Sequence, residues 1–374
     1  MNKIHVIFIM GLKAGIIGLP NVGKSTLFNA LTRAGVQAEN YPFCTIDPNV
    51  GMVEVPDQRL PKIAEFVQPS RVIPAAMEFV DIAGLVSGAS RGEGLGNRFL
   101  AHIREVDAIA HVVRAFEDPD VSHVANQVDS LSDIAIVDTE LALADLETVE
   151  RALDKSLKGS KSGDKAHLQM AHLLERVRVW LDSGAPVRSL ALTQIERAAL
   201  KPLCLLTAKP VLYVSNVDEH DLDGGKGSNV AAVKAHAHDF GDELVLVSAR
   251  IEQEIAMLDH QERSAFINDL GFTESGLDRV IRAGYSLLGL QTFFTAGPKE
   301  ARAWTIKSGM TASAAAGVIH TDFEHGFIRA ETIAYDDFVA LGGEQGARDA
   351  GRLRLEGRDY VVNDGDIMHF RFNV

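Results

Sequence analysis

The feature that most constrains this chain is the run GLPNVGKS at positions 18–25. It has the form G-x-x-x-x-G-K-S, in which glycines let backbone N–H groups face phosphate oxygens and the lysine reaches the outer phosphates. The apolar run 14–17 before it predicts a buried strand, and apolar residues at helical spacing after it predict a helix. This order favours a nucleoside triphosphate bound at a helix N-terminus over a glycine-rich turn without a ligand.

The phosphate-loop motif predicts which residues contact the nucleotide. Lys24 is expected to act in catalysis through the outer phosphates, and the Ser25 hydroxyl is the expected first ligand of Mg²⁺. The residues expected to contact the nucleotide from this loop are Asn21, Val22, Gly23, Lys24, Ser25 and Thr26.

Two downstream segments complete the predicted phosphate and magnesium site. Asp81 to Gly84 read D-x-x-G at the end of an apolar strand, so that Asp81 would hold the metal's water shell and the Gly84 N–H would bond the γ-phosphate. Thr45 lies in a polar, turn-rich stretch and is the expected second magnesium ligand. Each match is weak alone, but their order and spacing favour a nucleotide switch.

The sequence at 216–219, N-V-D-E, points to the base. A guanine site has Asn-Lys-x-Asp there, with the aspartate accepting from the guanine ring. Here Glu219 extends the carboxylate, and we expect adenine, with Asn216 reading a base edge and Val217 packing on the ring. The alternative is that Asp218 shifts register and still reads guanine.

Residues after the fifth predicted strand and after D-x-x-G refine this site. Ser248 and Ala249 are expected to close over the base through their backbone. Leu85 stands where many GTPases carry a glutamine that orients the attacking water, and a leucine cannot do so. Slow turnover without a partner is therefore expected.

The order of apolar runs predicts an α/β fold with a mostly parallel sheet, interrupted by a helical insertion. Strand candidates alternate with helices, and the run 50–55 predicts an antiparallel edge strand. Strand-like runs near 303–306, 328–333, 359–362 and 367–372 predict a compact C-terminal α+β domain. The expected divisions are residues 10–128 and 207–290 for the two parts of the nucleotide domain, 129–206 for a helical, coiled-coil-like insertion and 291–374 for the C-terminal domain.

Composition limits the cellular location that we expect for this chain. The two cysteines, Cys44 and Cys204, argue against a disulfide framework and for a reducing, cytoplasmic location, and no zinc motif is present. The first nine residues are expected to be a short tail or extension before Met10, since a cleaved signal peptide would remove the strand that feeds the phosphate loop. No apolar run is long enough for a membrane span.

A net charge of −14 disfavours indiscriminate binding to nucleic acid, and we expect no DNA partner. Two local clusters are nevertheless positively charged. One lies within 151–188, and the other comprises Arg348, Arg352, Arg354 and Arg358. Both the insertion and the C-terminal domain are therefore candidate partner surfaces. For the insertion, direct RNA binding stands against the alternative of lysines that only solvate a helix face.

The run 81–100, together with 18–25, 40–51 and 216–219, resembles the Obg group of GTPases and, within it, the Obg-like ATPase or YchF family. The resemblance covers nearly all of the chain from Met10. It implies a P-loop NTPase domain of the GTPase type, a helical insertion and a C-terminal TGS-like domain with a β-grasp fold. It further implies a cytoplasmic, monomeric, ribosome-associated ATPase that prefers ATP to GTP and is linked to translation and stress control.

The resemblance also implies two residue roles. His123 matches a histidine that acts near the γ-phosphate in this family, against the alternative of an ordinary surface histidine. Asn21 matches an asparagine that coordinates K⁺ in related switch proteins, against the alternative of a turn cap. The competing functions are an Obg-type GTPase for ribosome assembly and a scaffold that holds ATP as a structural ligand.

Overall fold

The computed structural model describes residues 12–33, 49–84, 95–118, 128–161, 164–222, 224 and 227–373. Its strands are β1 (Lys13–Ile17), β2 (Val50–Glu54), β3 (Val72–Ile73), β4 (Ala76–Asp81), β5 (Ala108–Arg114), β6 (Val211–Asn216), β7 (Glu243–Val247), β8 (Leu290–Ala296), β9 (Ala301–Lys307), β10 (Phe327–Ile333), β11 (Arg354–Glu356) and β12 (Ile367–Phe372). Its helices are α1 (Lys24–Arg33), α2 (Arg59–Val67), α3 (Leu95–Glu105), α4 (Ser130–Ser160), α5 (Lys165–Asp182), α6 (Gln194–Leu200), α7 (Ser228–Phe240), α8 (Ala249–Ile255), α9 (His260–Asp269), α10 (Gly276–Leu287), α11 (Ala312–Ile319), α12 (Thr321–His325), α13 (Tyr335–Ala340) and α14 (Glu344–Asp349).

The first sheet has six strands in the order β2-β4-β1-β5-β6-β7. Neighbours are parallel except β2 and β4, which are antiparallel. Every residue of β5 and of β6 is buried, as expected for parallel strands that helices cover on both faces. The predicted mostly parallel sheet and its antiparallel edge strand are confirmed. Because β1 lies between β4 and β5, the chain order reverses beside it, which is where open α/β sheets bind ligands.

The helical insertion is continuous with the first sheet at its start. Asp129 caps α4 by accepting from the Ser132 N–H at 3.1 Å. The first half of α4 packs into the core of the first sheet through Ile134, Val137 and Leu141. Its second half packs with α5 in a separate cluster that includes Val149 and Leu174. One 31-residue helix thus joins the two cores, a continuity that the expected boundary at residue 129 does not express.

The second sheet has the order β11-β10-β12-β8-β9-β3. β8 and β9 form an antiparallel hairpin, β12 lies parallel to β8, and β10 and β11 continue the sheet antiparallel beyond it. With α11 packed on one face, this is the β-grasp arrangement that the family resemblance implies. The expected strand at 359–362 is wrong, because this segment makes only a single bridge, from Val361 to Thr311.

A short segment of the nucleotide domain belongs to the second sheet. β3 precedes β4 in the chain, yet it pairs in parallel with β9 and forms the sheet's outer edge. The Arg59 guanidinium, at the start of α2, bonds the carboxylates of Asp57 and Asp364 and lies 5.3 Å from the Phe294 ring centroid. The strand that leads to Asp81 is therefore attached at its beginning to the C-terminal domain.

Candidate nucleotide site

The loop between β1 and α1 is held by two close backbone approaches. Gly18 has φ of 155°, and a Cβ there would lie 2.5 Å from the Val112 carbonyl oxygen of β5. Gly23 has φ of 91°, and a Cβ there would lie 2.2 Å from Asn216 Nδ2. Neither position accepts a side chain without strain. These contacts explain why both glycines of the sequence motif are required.

Helix α1 begins at Lys24, with the Leu27 N–H bonded to the Gly23 carbonyl at 3.0 Å. Leu27, Phe28 and Leu31 face the core and fix the helix against the sheet. The first turn of α1 consequently follows the carboxyl end of β1, where its free N–H groups favour an anion.

Lys24, Asp81 and Gly84 come together at this edge, as predicted. A Cβ at Gly84 would lie 3.3 Å from Lys24 Nζ and 3.5 Å from the Gly18 carbonyl oxygen. The lysine is 9% exposed, and burial lowers its pKa while the nearby Asp81 carboxylate raises it. The amino group is therefore held close to the backbone that would face a phosphate.

Asp81 carries the clearest sign of a missing ligand. Its Oδ1 atom is buried and has no hydrogen-bond partner among the described residues. Burial raises the pKa of the Asp81 carboxyl, and Lys24 lowers it. A buried, unsatisfied carboxylate oxygen costs about 1–3 kcal/mol, and more when charged, unless a ligand or water satisfies it. An oxygen donor of this kind fits Mg²⁺ or a water bound to it.

Asn216 ties the phosphate loop to the loop after β7. Its side-chain nitrogen donates to the Val22 carbonyl at 3.0 Å, and its side-chain oxygen accepts from the Ala249 N–H at 3.0 Å. Both bonds are buried, and Ser248 beside them is 5% exposed. The structure thus gives Asn216 a positioning role that its motif did not reveal, while its contact with the base edge stays a prediction.

The remaining residues of the base motif take different places. Val217 is 2% exposed and packs with Ile251 and Ile255, so the prediction that its side chain packs on the base is wrong. Asp218 accepts from the Glu117 N–H at 3.3 Å, which occupies its carboxylate with the end of β5. Glu219 begins a short 3₁₀ turn and is exposed, so its carboxylate is accessible.

The other loop residues divide by burial. Asn21 is exposed and holds a left-handed φ of 62°, while Val22 is buried at 2%. Ser25 is exposed and Thr26 is half-buried at the start of α1. Val22 can therefore offer a nucleotide only its backbone, whereas the hydroxyl of Ser25 is accessible.

Several predicted site residues lie outside the described residues. They are Thr45, Leu85, His123 and the cysteine at 44, together with the glycine-rich segment 85–94. Elsewhere in the described ranges, no group of three or more His, Cys, Asp or Glu side chains is arranged to hold a metal ion. No helix in those ranges has the length and apolar character needed to cross a membrane.

Two family models match the chain. One, YchF-GTPase_C, described as "Protein of unknown function (DUF933)", matches residues 290–373, and one described as "50S ribosome-binding GTPase" matches residues 13–144. A protein named ribosome-binding ATPase YchF, from Bacillus subtilis, is 55% identical over 98% of this chain and 100% of its own length. The chain belongs to the YchF family.

Further relatives agree with this assignment. The ribosome-binding ATPase YchF of Haemophilus ducreyi is 58% identical to this YchF-family chain, again over 98% of it and 100% of the relative. The solved structure of the Schizosaccharomyces pombe YchF GTPase is 39% identical, with a TM-score of 0.88 over 96% of this chain and 98% of that one. The YchF resemblance read from the sequence motifs is confirmed.

Proposed function

We propose that this chain is a ribosome-associated ATPase that acts as a switch in translation. The observation that carries the hydrolase part is the meeting of Lys24, Asp81 and Gly84, with one oxygen of Asp81 buried and unpartnered among the described residues. The ribosome as partner is supported by the names of full-length relatives above 50% identity. Since ribosomes translate in the cytoplasm, the proposal carries the cytoplasmic location expected from the sequence.

The residues suit a magnesium–nucleotide complex. Ser25 supplies a hydroxyl ligand, Thr45 is the proposed second ligand, and the Asp81 carboxylate would hold the metal's water shell. Bound Mg²⁺ would neutralise charge on the phosphate oxygens. Lys24 is proposed to bind the outer phosphates, and the Gly84 N–H, close to Lys24 Nζ, is proposed to bond the terminal one.

A preference for ATP over GTP is supported by Glu219. The accessible carboxylate at the end of β6 stands one methylene further out than the aspartate of a guanine site. Asp218 is engaged by Glu117, which disfavours the shifted-register alternative. The Schizosaccharomyces pombe relative is named a GTPase, so an Obg-type GTPase remains the second candidate.

Purified protein decides between ATP and GTP by competition. Unlabelled ATP is expected to displace labelled ATP at least tenfold more effectively than GTP, a ratio within reach of one polar contact. Glu219→Ala is expected to reduce that ratio, whereas the control His220→Ala, an exposed neighbour, leaves it unchanged. Equal competition by ATP and GTP in the wild-type protein would favour the GTPase.

K⁺ is a further proposed cofactor, and Asn21 is the residue proposed to bind it. The residue is exposed and holds a left-handed backbone conformation in the phosphate loop. Asn21→Ala is expected to abolish stimulation of hydrolysis by K⁺ over Na⁺. Persistence of the stimulation in the variant would remove Asn21 from this role.

Water activation is proposed to be weak in the isolated chain. Leu85 follows the D-x-x-G segment and has no group that orients water. His123 is proposed to act near the γ-phosphate instead. Slow intrinsic turnover follows from this arrangement.

The switch part of the proposal is supported by the chain path. Strand β4 ends at Asp81 in the nucleotide site and begins just after β3, which is hydrogen-bonded into the C-terminal sheet. A change that the γ-phosphate imposes at Asp81 and Gly84 thus has a short covalent route to the C-terminal domain. Two domains joined in this way can report nucleotide state to a partner.

A further inference from the structure

The C-terminal domain presents three arginines to solvent around one carboxylate, two on strands β10 and β12 and one on α14. Arg371 forms a two-pronged pair with Glu331, with Nε and Nη2 each 3.1 Å from a carboxylate oxygen. Arg329 and Arg348 approach the same carboxylate at 3.6 and 3.9 Å. We call Arg329, Arg348 and Arg371 the arginine patch. Their side chains are 50%, 47% and 49% exposed, whereas that of Glu331 is 10% exposed.

The strand register places two of these arginines where they are expected to lower the stability of the fold. Arg329 of β10 stands directly opposite Arg371 of β12, and like charges in that position destabilise a sheet. The pairing is irregular between Phe327 and Arg329, and such bulges change where a side chain points. The sheet therefore holds two guanidinium groups side by side on an open face.

The patch carries more positive charge than its partners in the described part of the chain neutralise. Glu331 is shared by three arginines, and Arg348 has a second carboxylate, Glu344, at 2.8 Å. The Arg371 hydrogen bond holds the pKa of Glu331 below its ordinary value, so the carboxylate stays ionised. Three guanidinium charges thus face two carboxylates, in a chain whose net charge is −14.

A ring lies on the same face. His369 pairs in register with Glu331, is two residues from Arg371 on β12, and is exposed. Histidine rings stack on unpaired bases, and arginine guanidiniums bind phosphates with two parallel hydrogen bonds. Arginine forks beside an exposed ring are a combination suited to RNA rather than to an acidic peptide.

We propose that the arginine patch, with His369 beside it, binds the phosphate backbone of ribosomal RNA. The inference rests on the proposed ribosome partner and names the surface and the chemistry of that contact. Phosphate oxygens would compete with Glu331 for the guanidinium groups that it now shares.

The patch differs from the arginine cluster seen in the sequence. Of that cluster only Arg348 reaches it. Arg352 pairs with Asp337 at 3.1 Å, and Arg354 pairs with Asp366 at 3.2 Å. The other two members of the patch come from strands that are far apart in the chain, so only the fold assembles it.

The experiment measures binding of the full chain to intact ribosomes and to protein-free large-subunit ribosomal RNA, from low to high salt. The test variant is Arg329→Gln with Arg348→Gln and Arg371→Gln. It is expected to weaken both interactions at least about tenfold at 0.1 M salt. The log–log salt slope is expected to flatten by about 0.7–0.9 for each RNA phosphate that the variant no longer neutralises. ATP hydrolysis in the absence of ribosomes is expected to stay at the wild-type rate.

The matched control removes the same charge elsewhere. Lys62→Gln with Lys234→Gln and Arg282→Gln changes one half-buried residue, Lys62, and two exposed ones, all outside the C-terminal sheet. It is expected to keep the wild-type affinity and salt slope. A loss of binding equal to that of the test variant would attribute the effect to net charge and overturn the proposal.

A second variant tests the opposite direction. Glu331→Gln removes the competing carboxylate and leaves the three arginines in place. RNA binding is expected to tighten about threefold or more, because one negative charge leaves the face. A merely structural role for the arginines predicts no gain, and unchanged or weaker RNA binding by Glu331→Gln would contradict the proposal even if the triple variant folds poorly.

The outcomes distinguish a failure of the proposed function from a failure of the arginine-patch proposal. If the wild-type chain fails to bind ribosomes, the proposed function fails. If the wild-type chain binds and the triple variant binds equally well, only the arginine patch is refuted. Weaker binding to ribosomes with unchanged binding to free RNA would assign the patch to a ribosomal protein and also overturn the RNA proposal.

Discussion

Two buried carboxylates in this fold face opposite situations. Asp145, on α4, is 1% exposed and accepts hydrogen bonds from the Leu206 N–H, the Thr207 N–H and the Thr207 hydroxyl at 2.8, 2.8 and 2.7 Å. Asp81, at the end of β4, has a buried oxygen without a partner among the described residues. The first carboxylate holds the insertion to the turn before β6, and the second has an oxygen that a ligand could satisfy.

A buried lysine, Lys24, and a half-buried one, Lys209, also differ in their surroundings. The Lys209 ammonium donates to the carbonyls of Arg104 and Val106. Lys24 lies among the backbone atoms of the phosphate loop, with Asp81 as its electrostatic partner. Burial lowers the pKa of both ammonium groups. The atoms around each lysine, rather than burial alone, therefore distinguish the lysine of the phosphate loop from the structural one.

The largest expected effect comes from Lys24→Ala. Hydrolysis of ATP should fall by about 10²–10³-fold, since the variant lacks the cation that stabilises the developing phosphate charge. Stability should not fall, because a desolvated charge is removed. Single-turnover hydrolysis and urea unfolding measure the two quantities.

Lys209→Ala is the matched control for that change. It should keep the hydrolysis rate and lower the free energy of unfolding by roughly 2 kcal/mol, because two carbonyls no longer receive their hydrogen bonds. If both lysine variants changed only the hydrolysis rate, or both changed only the free energy of unfolding, the proposed difference between the two lysines would be wrong.

Asp145→Ala is expected to lower the free energy of unfolding by about 3 kcal/mol, since it leaves buried donors without an acceptor. ATP affinity should remain that of the wild-type chain. Urea unfolding and equilibrium ATP binding provide the measurements. A destabilisation below about 1 kcal/mol would mean that the three short bonds do not stabilise the joint.

Asp81→Asn should preserve stability and weaken ligand binding, the opposite of the result expected for Asp145→Ala. Without nucleotide the variant should be at least as stable as the wild-type chain, because burial raises the pKa of Asp81 and penalises its charged form. Magnesium affinity of the ATP complex should fall about 10–100-fold. Titration of hydrolysis with Mg²⁺ measures this, and an unchanged midpoint would exclude Asp81 from the metal site.

The smallest expected effect concerns Asp138, a half-buried carboxylate on α4. Burial raises its pKa to about 6, although Arg188 opposes the rise and Asp242 adds to it. Its charged form therefore costs stability above pH 6, and the cost disappears as pH falls toward the unfolded value near 4. Asp138→Asn should stabilise the chain by about 1 kcal/mol at pH 7.5 and by almost nothing at pH 4. Urea unfolding at the two pH values measures this, and a gain independent of pH would point to another cause.

Local pattern was enough to predict the first sheet and the phosphate loop. Strand runs, glycine spacing and the helix after the loop all depend on near neighbours in sequence, and Lys24, Asp81 and Gly84 lie together as expected. The role of Val217 was misjudged because its motif gives residue order and not burial, which α8 decides from about 30 residues away.

What the sequence could not predict depends on long-range pairing. β3 is only two residues long and joins a sheet built mainly from residues beyond 290. The arginine patch likewise needs the register of β10 against β12. Neither leaves a periodic signal, because the partners are set by the tertiary fold.

The central claim, that nucleotide state at the phosphate loop governs the ribosome contact, is tested by one comparison of affinities. Ribosome binding is measured with the full chain saturated with a non-hydrolysable ATP analogue and then with ADP. The account predicts that the ribosome affinities of the two nucleotide states differ by about fivefold or more, which is the lower end of typical coupling between two binding sites. Equal affinity in both states, with occupancy of the nucleotide site verified, would contradict it.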